Sequence, residues 1–282
     1  MRILQTNGWE DYELLDSGEG YRLERFGEYT IAKPDPQAIW QRGLPISVWK
    51  KADATFEKEG WVRRTDVPEK WLVHYKKISF YTKLTPFKHT GVFPEQHLHW
   101  DFISHAITQS KREVKVLNLF AYTGIASLIA AFAGAEVTHV DASRPAIGWA
   151  RENQEASKLA DKPIRWILDD VVRFVEKEVR RGNTYEGIIM DPPVYGHGPG
   201  GELWDFPKNF PELVKLCSQL LSDKPLFVIV NAYAISASSI MLENVLRDHL
   251  TKGKVEVGEL AIQESSGKRL LSTGIFARWS AE

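Results

Sequence analysis

The chain is poor in cysteine. Of its 282 residues only Cys217 carries a thiol, so no internal disulfide can form, and the composition fits a reducing compartment. It also lacks a long apolar run. None approaches the roughly 20 residues a helix needs to cross a bilayer, and the first residues, Met1 to Asn7, hold no apolar stretch of signal-peptide length. These absences set the expectation of a soluble, cytoplasmic protein with no membrane partner. An excess of one charge is missing too. With 36 Lys and Arg against 37 Asp and Glu the formal net charge is -1, so nothing global announces a polyanion partner and a local basic patch would have to do so. The eight histidines show no metal-ligand spacing. His97 and His99 are too close to share a helix face and no Cys/His cluster exists, so no metal is expected. No Ser–His–Asp arrangement can be assembled, and no internal repeat or low-complexity tract is present.

What is present changes character along the chain. Residues 1–88 are β-rich. The brief runs 12–15, 21–25 and 29–31 are separated by Gly18, Gly20 and Gly27, the spacing of a small meander or barrel. Residues 71–75 and 78–84 read as two further strands around a tight Lys76-Lys77 turn. Beyond Pro94 the apolar period becomes helical, with Leu98, Phe102, Ile103 and Ala106 predicting a helix over 95–110. From 114 strands and helices alternate. Strands are expected at 114–120, 136–140, 164–168, 187–190 and 226–230, with helices at 125–133, 145–156, 171–181, 212–221 and 236–249. An antiparallel ending over 255–262 and 270–279 follows. This alternation predicts an α/β fold, a mostly parallel sheet with helices on both faces, over 89–282. A small N-terminal β-rich domain over 1–88 is a possible substrate-recognition element.

In such a sheet ligands bind beyond the carboxyl ends of the strands, which directs attention to the residues there. The first strand runs into Phe120-Ala121-Tyr122-Thr123-Gly124. Gly124 either lets the backbone approach a ligand at a helix N-terminus or makes a plain strand-to-helix turn. The loop lacks the Gly-x-Gly-x-x-Gly of a dinucleotide site. Asp141 ends the second strand, where a carboxylate can accept ribose hydroxyls or cap the following helix. Asp169 and Asp170 end the third; Asp170 is the expected acceptor for an adenine amino group, and Asp169 the expected helix cap. Asp191-Pro192-Pro193 ends the fourth. Two prolines remove two N–H donors and stiffen the turn. Tyr195 can stack on a flat substrate, and the glycine-rich stretch 196–201 reads as a hinged lid or a surface loop. Phe93 and Gln96, in the segment joining the two parts, can close over a ligand from the side. Cys217 sits among Leu213, Leu220 and Leu221 and is expected to be a structural thiol. Between 49 and 88, about ten Lys and Arg against about five acids are interleaved with Trp61, Trp71, Tyr75, Phe80 and Tyr81. That pattern suits either nucleic-acid contact or an aromatic mini-core with a basic rim.

At these residues the chain resembles the class I S-adenosylmethionine-dependent methyltransferases. More narrowly it resembles the bacterial ribosomal RNA large-subunit methyltransferase group, through Phe-x-Tyr-Thr-Gly at 120–124, Asp141 and Asp-Pro-Pro at 191–193. The resemblance spans roughly 88–280. It implies a Rossmann-like seven-stranded sheet with one antiparallel strand and S-adenosylmethionine as cofactor. It implies the methionine moiety near Phe120, Ala121, Tyr122, Thr123 and Gly124, the ribose on Asp141 beside Ala142, the adenine by Asp170 and Val171, and the methyl acceptor by Asp191, Pro192 and Pro193. Members that make 5-methylcytosine are expected to carry a cysteine nucleophile at the end of the fourth or fifth strand. Here those positions read Asp-Pro-Pro and Asn231-Ala232-Tyr233. Direct displacement at the sulfonium by a base nitrogen of ribosomal RNA is therefore the expected reaction. Transfer to a small molecule or protein, and a non-catalytic cofactor-binding module, are the alternatives; the oligomeric state is open.

Overall fold

A computed structural model describes residues 2–6, 8–233 and 237–281. The chain divides into two compact units. One comprises Gln5–Gln96 and Ala261–Thr273, the other Met1–Leu4, His97–Leu260 and Gly274–Glu282.

In chain order the first elements are β1 (Arg2–Thr6), β2 (Tyr12–Gly18), β3 (Tyr21–Phe26), β4 (Tyr29–Pro34), the short helix α1 (Ile46–Trp49), β5 (Ala54–Glu57), β6 (Gly60–Arg63), β7 (Lys70–Tyr75) and β8 (Ile78–Lys83). Strands β2 to β6 form a five-stranded sheet in sequential order, and β7 and β8 a separate hairpin. Leu23, Ala32, Trp49 and Ala52 make a small core here. Trp71, Tyr75 and Phe80 are buried, while Trp61 and Tyr81 are half-buried. The aromatic run between 49 and 88 is thus divided between core and surface. Asp16 is fully buried and saturated. It accepts from the Leu44 N–H (2.8 Å), the Trp49 indole (2.9 Å), the Gly43 N–H (3.1 Å) and the Ser266 hydroxyl (2.9 Å). Burial pushes its carboxyl up, and these bonds override the push and leave it below the usual range.

The second unit continues with α2 (His97–Ser110), β9 (Lys115–Leu119), α3 (Ile125–Phe132), β10 (Glu136–Asp141), α4 (Arg144–Ala156), β11 (Ile164–Leu168), α5 (Val171–Arg181), β12 (Gly187–Met190), β13 (Tyr195–His197), β14 (Leu203–Asp205), α6 (Phe206–Ser218), β15 (Phe227–Ala232), α7 (Ser239–His249), β16 (Lys254–Gln263) and β17 (Leu270–Ser280). The sheet order is β1-β16-β17-β15-β12-β9-β10-β11. Strands β11, β10, β9, β12 and β15 are mutually parallel, and β17 runs antiparallel to β15. Alternate residues bury on opposite faces, as a strand's two-residue period requires. Leu117, Leu119, Ile188, Met190, Val228 and Val230 pack with Phe174, Phe210 and Leu213. Val116, Ile189, Phe227 and Ile229 pack with Ile103, Ile107 and Ala130. No helix among the described residues is long and apolar enough to cross a membrane.

Three details differ from expectation. The sheet has eight strands, not seven, because β1 adds to its edge. Gly258 in β16 permits this, since a Cβ there would lie 1.6 Å from the Arg2 carbonyl oxygen. Helix α6 begins at Phe206, six residues before the expected start. Pro207 occupies its first turn, where a missing N–H costs nothing. Pro211 does sit inside, where stacked Phe206 and Phe210 rings (4.6 Å) accompany it. Finally, the glycine-rich stretch is the turn of the β13–β14 hairpin. The expected start of α7 at Ser236 lies outside the described residues.

Candidate functional site

Because β11, β10, β9 and β12 are parallel and in register, their carboxyl ends share one edge. Leu119 aligns with Val140 and with Met190, and Asp141 with Leu168. Phe120, Asp141, Asp169 and Asp191 therefore begin four neighbouring turns. The strand order reverses at β9, which makes this edge a topological switch point.

The turn after β9 is conformationally unusual. Phe120 (φ 54°) and Tyr122 (φ 48°) both adopt left-handed backbone, as does Gly124 (φ 80°). Non-glycine residues enter this region at a cost and persist where surrounding contacts over-determine them. Here the Ala121 N–H donates to the Val140 carbonyl (3.1 Å), the Gly124 N–H to the Ala121 carbonyl (3.0 Å) and the Asn153 amide to the Thr123 carbonyl (2.9 Å). Gly124 is demanded by packing as well as by φ. A Cβ there would lie 2.8 Å from the Ala150 Cβ on α4. Beneath the turn, Asn118 donates to Ser127 (2.9 Å), whose hydroxyl meets the His139 Nδ1 (3.0 Å). Burial pushes that imidazole down to about 3, so it stays neutral and structural.

Asp141 fastens this turn. Its Oδ2 accepts from the Tyr122 N–H (2.8 Å) and its Oδ1 from the Ser143 N–H (2.8 Å). Ser143, not Asp141, caps α4 through the Ala146 N–H (3.3 Å). Burial pushes the Asp141 carboxyl above the usual range, and the two N–H bonds offset this only in part. A carboxylate has about four lone-pair positions and two are used, so the acceptor capacity left matches a vicinal diol. Ala142 follows, half-buried. The Tyr122 ring lies 6.0 Å from Trp149, and its phenol is pushed up to about 12 by burial and then by Asp141.

After β11 the roles of the two aspartates differ from expectation. Asp170 caps α5, its Oδ1 accepting from the Arg173 N–H (2.9 Å). It stands directly before the first helical residue, Val171, which is where a capping carboxylate reaches a first-turn N–H. Asp169 instead accepts from the Asp170 N–H (3.0 Å) and from Lys177. Both Asp169 oxygens are engaged, whereas the Asp170 Oδ2 faces Gly198 of the hairpin turn. Asp170 thus caps the helix through Oδ1, with Oδ2 turned toward the hairpin.

After β12 the Asp191 N–H reaches the Leu119 carbonyl (3.4 Å). Pro192 is buried and Pro193 exposed. Sequence reasoning missed Trp204 on β14. Its indole N–H donates to the Pro193 carbonyl (2.6 Å) and its ring lies 4.8 Å from Phe120. One buried side chain thereby ties the diproline turn to the turn after β9. No local pattern marks it, since it is an aromatic residue between a glycine-rich turn and a helix. The hairpin that carries it is anchored by Gly198 N–H to Glu202 carbonyl (2.7 Å) and Arg173 to Glu202 (3.5 Å). Tyr195 on β13 is 58% exposed, with its ring edge-on to His197 at 5.5 Å.

Phe93 and Gln96 belong to the first unit, where the Gln96 N–H donates to the Phe93 carbonyl (3.1 Å) at the turn Pro94–Gln96. Cys217 is buried with Sγ 4.0 Å from the Met190 sulfur, and burial pushes its thiol up, as a structural role requires.

The arrangement is a loop held in left-handed backbone, the carboxylates of Asp141 and Asp170 and a diproline corner, all on one sheet edge. No family model matches the chain. A SAM-dependent methyltransferase from Agrobacterium tumefaciens, whose structure is solved, is 42% identical. It covers 100% of this chain and 94% of its own, with a TM-score of 0.97. The curated ribosomal RNA large subunit methyltransferase K/L of Shewanella oneidensis is 30% identical over 253 residues, which are 80% of this chain and 35% of that protein. The Escherichia coli ribosomal RNA large subunit methyltransferase I is 23% identical over 279 residues, 91% of this chain and 68% of that protein. The chain spans 22% and 32% of the length of two further K/L relatives. The full-length likeness to the Agrobacterium tumefaciens structure decides the family: this chain belongs to the S-adenosylmethionine-dependent methyltransferases.

Proposed function

We propose that the protein methylates a base of ribosomal RNA at a ring or exocyclic nitrogen. The observation that carries this reading is the Asp191-Pro192-Pro193 corner. It stands on the same sheet edge as Asp141 and Asp170 and is braced by Trp204. The names of the curated relatives support RNA as the substrate.

The Asp141 carboxylate would hold the ribose hydroxyls of the cofactor, the Asp170 Oδ2 its adenine amino group, and the 120–124 turn its amino-acid end. When bound, the cofactor supplies a methyl group already activated by its sulfonium. The chain's own task is then placement. The Asp191 carboxylate and the Pro192 carbonyl accept hydrogen bonds from the acceptor nitrogen and aim its lone pair. Proline at 192 and 193 keeps that corner from rearranging. Tyr195, exposed on its hairpin, stacks on a base drawn out of its helix. No thiolate is needed, and Cys217, the chain's single thiol, is buried and structural.

The test is mass spectrometry of ribosomal RNA nucleosides from cells with and without the gene, paired with transfer of labelled methyl to RNA from the deleted strain. One methylated nucleoside absent from the deletion and restored in vitro supports the reading. An unchanged nucleoside profile and no label in RNA refute it. Transfer to a small molecule or protein would then stand, as the near-zero net charge favours.

A further inference from the structure

The proposed chemistry uses the sheet edge and leaves the five-stranded sheet of the first unit without a task. That sheet and helix α1 enclose a cleft of about 1000 Å³, at the upper limit of small-molecule sites. Four cations line it, Arg42, Lys50, Lys58 and Arg64, against two acids, Glu57 and Glu59. Lys50, Lys58 and Arg64 are exposed and make no ion pair among the described residues. Their charge is available to an incoming anion.

Arg42 is held differently. Its guanidinium lies 4.2 Å from the centre of the Trp49 ring and 5.9 Å from that of Tyr21. Its Nε is 3.4 Å from Glu19 without hydrogen-bond geometry, and is buried with no hydrogen-bond partner. The Trp49 ring and Glu19 thus hold this cation at the cleft wall. Beside these cations stands a flat wall. The Trp61 indole N–H donates to the carbonyls of Thr85 (2.8 Å) and Phe87 (3.1 Å), which fixes a half-buried ring in place. Ile46 and Val62 add exposed apolar surface.

Cations for phosphates and a fixed ring for an unstacked base are the two requirements of single-stranded nucleic-acid binding. We propose that this cleft binds a single-stranded stretch of RNA, with phosphates on Arg42, Lys50, Lys58 and Arg64 and a base on Trp61. A single strand is favoured over a duplex because the ring wall serves only a base free of its stack. The inference rests on the reading that the substrate is RNA.

The experiment is fluorescence anisotropy of a short labelled oligouridylate with the full chain, over a salt series. Binding of the unaltered protein should weaken steeply with salt. The double variant Lys50→Glu and Arg64→Glu, both exposed positions, should raise Kd roughly tenfold or more and lower the salt slope by about one per lost phosphate contact. Glu57→Lys with Glu59→Lys should lower Kd. Unchanged calorimetry with the demethylated cofactor would show that both variants are folded. In methyl transfer to ribosomal RNA, the first variant should raise KM more than it lowers kcat. Failure of the unaltered protein to bind the oligonucleotide overturns the inference whatever the transfer assay reads. If that protein methylates RNA while the double variant binds like it, the cleft inference is overturned and the RNA substrate stands. Binding through the cleft with no transfer to any RNA keeps the cleft and overturns the proposed activity.

Discussion

The two edges of the central sheet treat a carboxylate in opposite ways. At the amino edge, Glu178 on α5 is fully buried and saturated. It accepts from Tyr185 (2.7 Å), Asn183 (2.8 Å) and Arg181 (2.8 Å), with Arg165 at 3.8 Å. Burial pushes its carboxyl up, and the hydrogen bonds override that push and leave it low. At the carboxyl edge, half-buried Asp141 has two backbone N–H donors and no ion pair among the described residues, and its carboxyl stays above the usual range. Glu178 has its partners inside the chain and serves the fold. Asp141 has fewer hydrogen bonds from the chain, which is why the proposed function gives it the cofactor's hydroxyl donors.

That contrast can be broken in several ways. The largest effect is expected at the diproline corner. Asp191→Ala should lower kcat on the order of 10³-fold, as the loss of a group positioning a reacting proton-bearing atom does, with Kd for the demethylated cofactor nearly unchanged. Near-full turnover in single-turnover assays would remove Asp191 from the mechanism. Glu178→Ala should do the reverse. It leaves the buried Tyr185 hydroxyl without its acceptor and should lower stability by about 3 kcal/mol, read as a shifted urea midpoint, while cofactor affinity in the folded protein is retained.

How far the contrast was visible in the sequence depends on the range of the forces involved. The spans 164–168, 171–181 and 187–190 match β11, α5 and β12, because their apolar periods and their caps are local. Asp141 was legible for the same reason, as an acid closing a buried strand. The division of labour between Asp169 and Asp170 was not, since it turns on which residue meets the Arg173 N–H and which meets Lys177 a helical turn and more away. Strand β1 was missed because five residues with little alternation become a strand only when an edge is offered. The β13–β14 hairpin and Trp204 were missed because glycine-rich sequence is silent about the tertiary contact that orders it. Helix α6 was expected only from 212, past Pro207 and Pro211, both of which lie within it.

Smaller effects sharpen the account. Trp204→Phe keeps the ring against Phe120 and removes the hydrogen bond to the Pro193 carbonyl. It should lower kcat about tenfold, the worth of roughly one such bond, without moving cofactor Kd. An equal loss in affinity would make Trp204 a general packing residue instead. The smallest effect is on pH. Hydroxyl donors favour the ionised carboxylate, so cofactor affinity should fall as pH drops through the raised Asp141 pKa, with proton release on binding at and below that pKa and none well above it. In the free protein the sign is opposite. A raised folded pKa means the burial penalty of Asp141 is relieved on acidification through that same pKa. Asp141→Asn should abolish the pH dependence of affinity, measured by calorimetry in buffers of different ionisation enthalpy.

The decisive measurement is calorimetric titration with S-adenosylhomocysteine of the unaltered protein, Asp141→Ala and Glu178→Ala under folding conditions. The unaltered protein and Glu178→Ala should bind alike. Asp141→Ala should bind on the order of 100-fold more weakly, the equivalent of losing charge-assisted hydrogen bonds worth about 3 kcal/mol. No heat with the unaltered protein, or equal affinity in all three, would contradict the assignment of the carboxyl edge as the cofactor site.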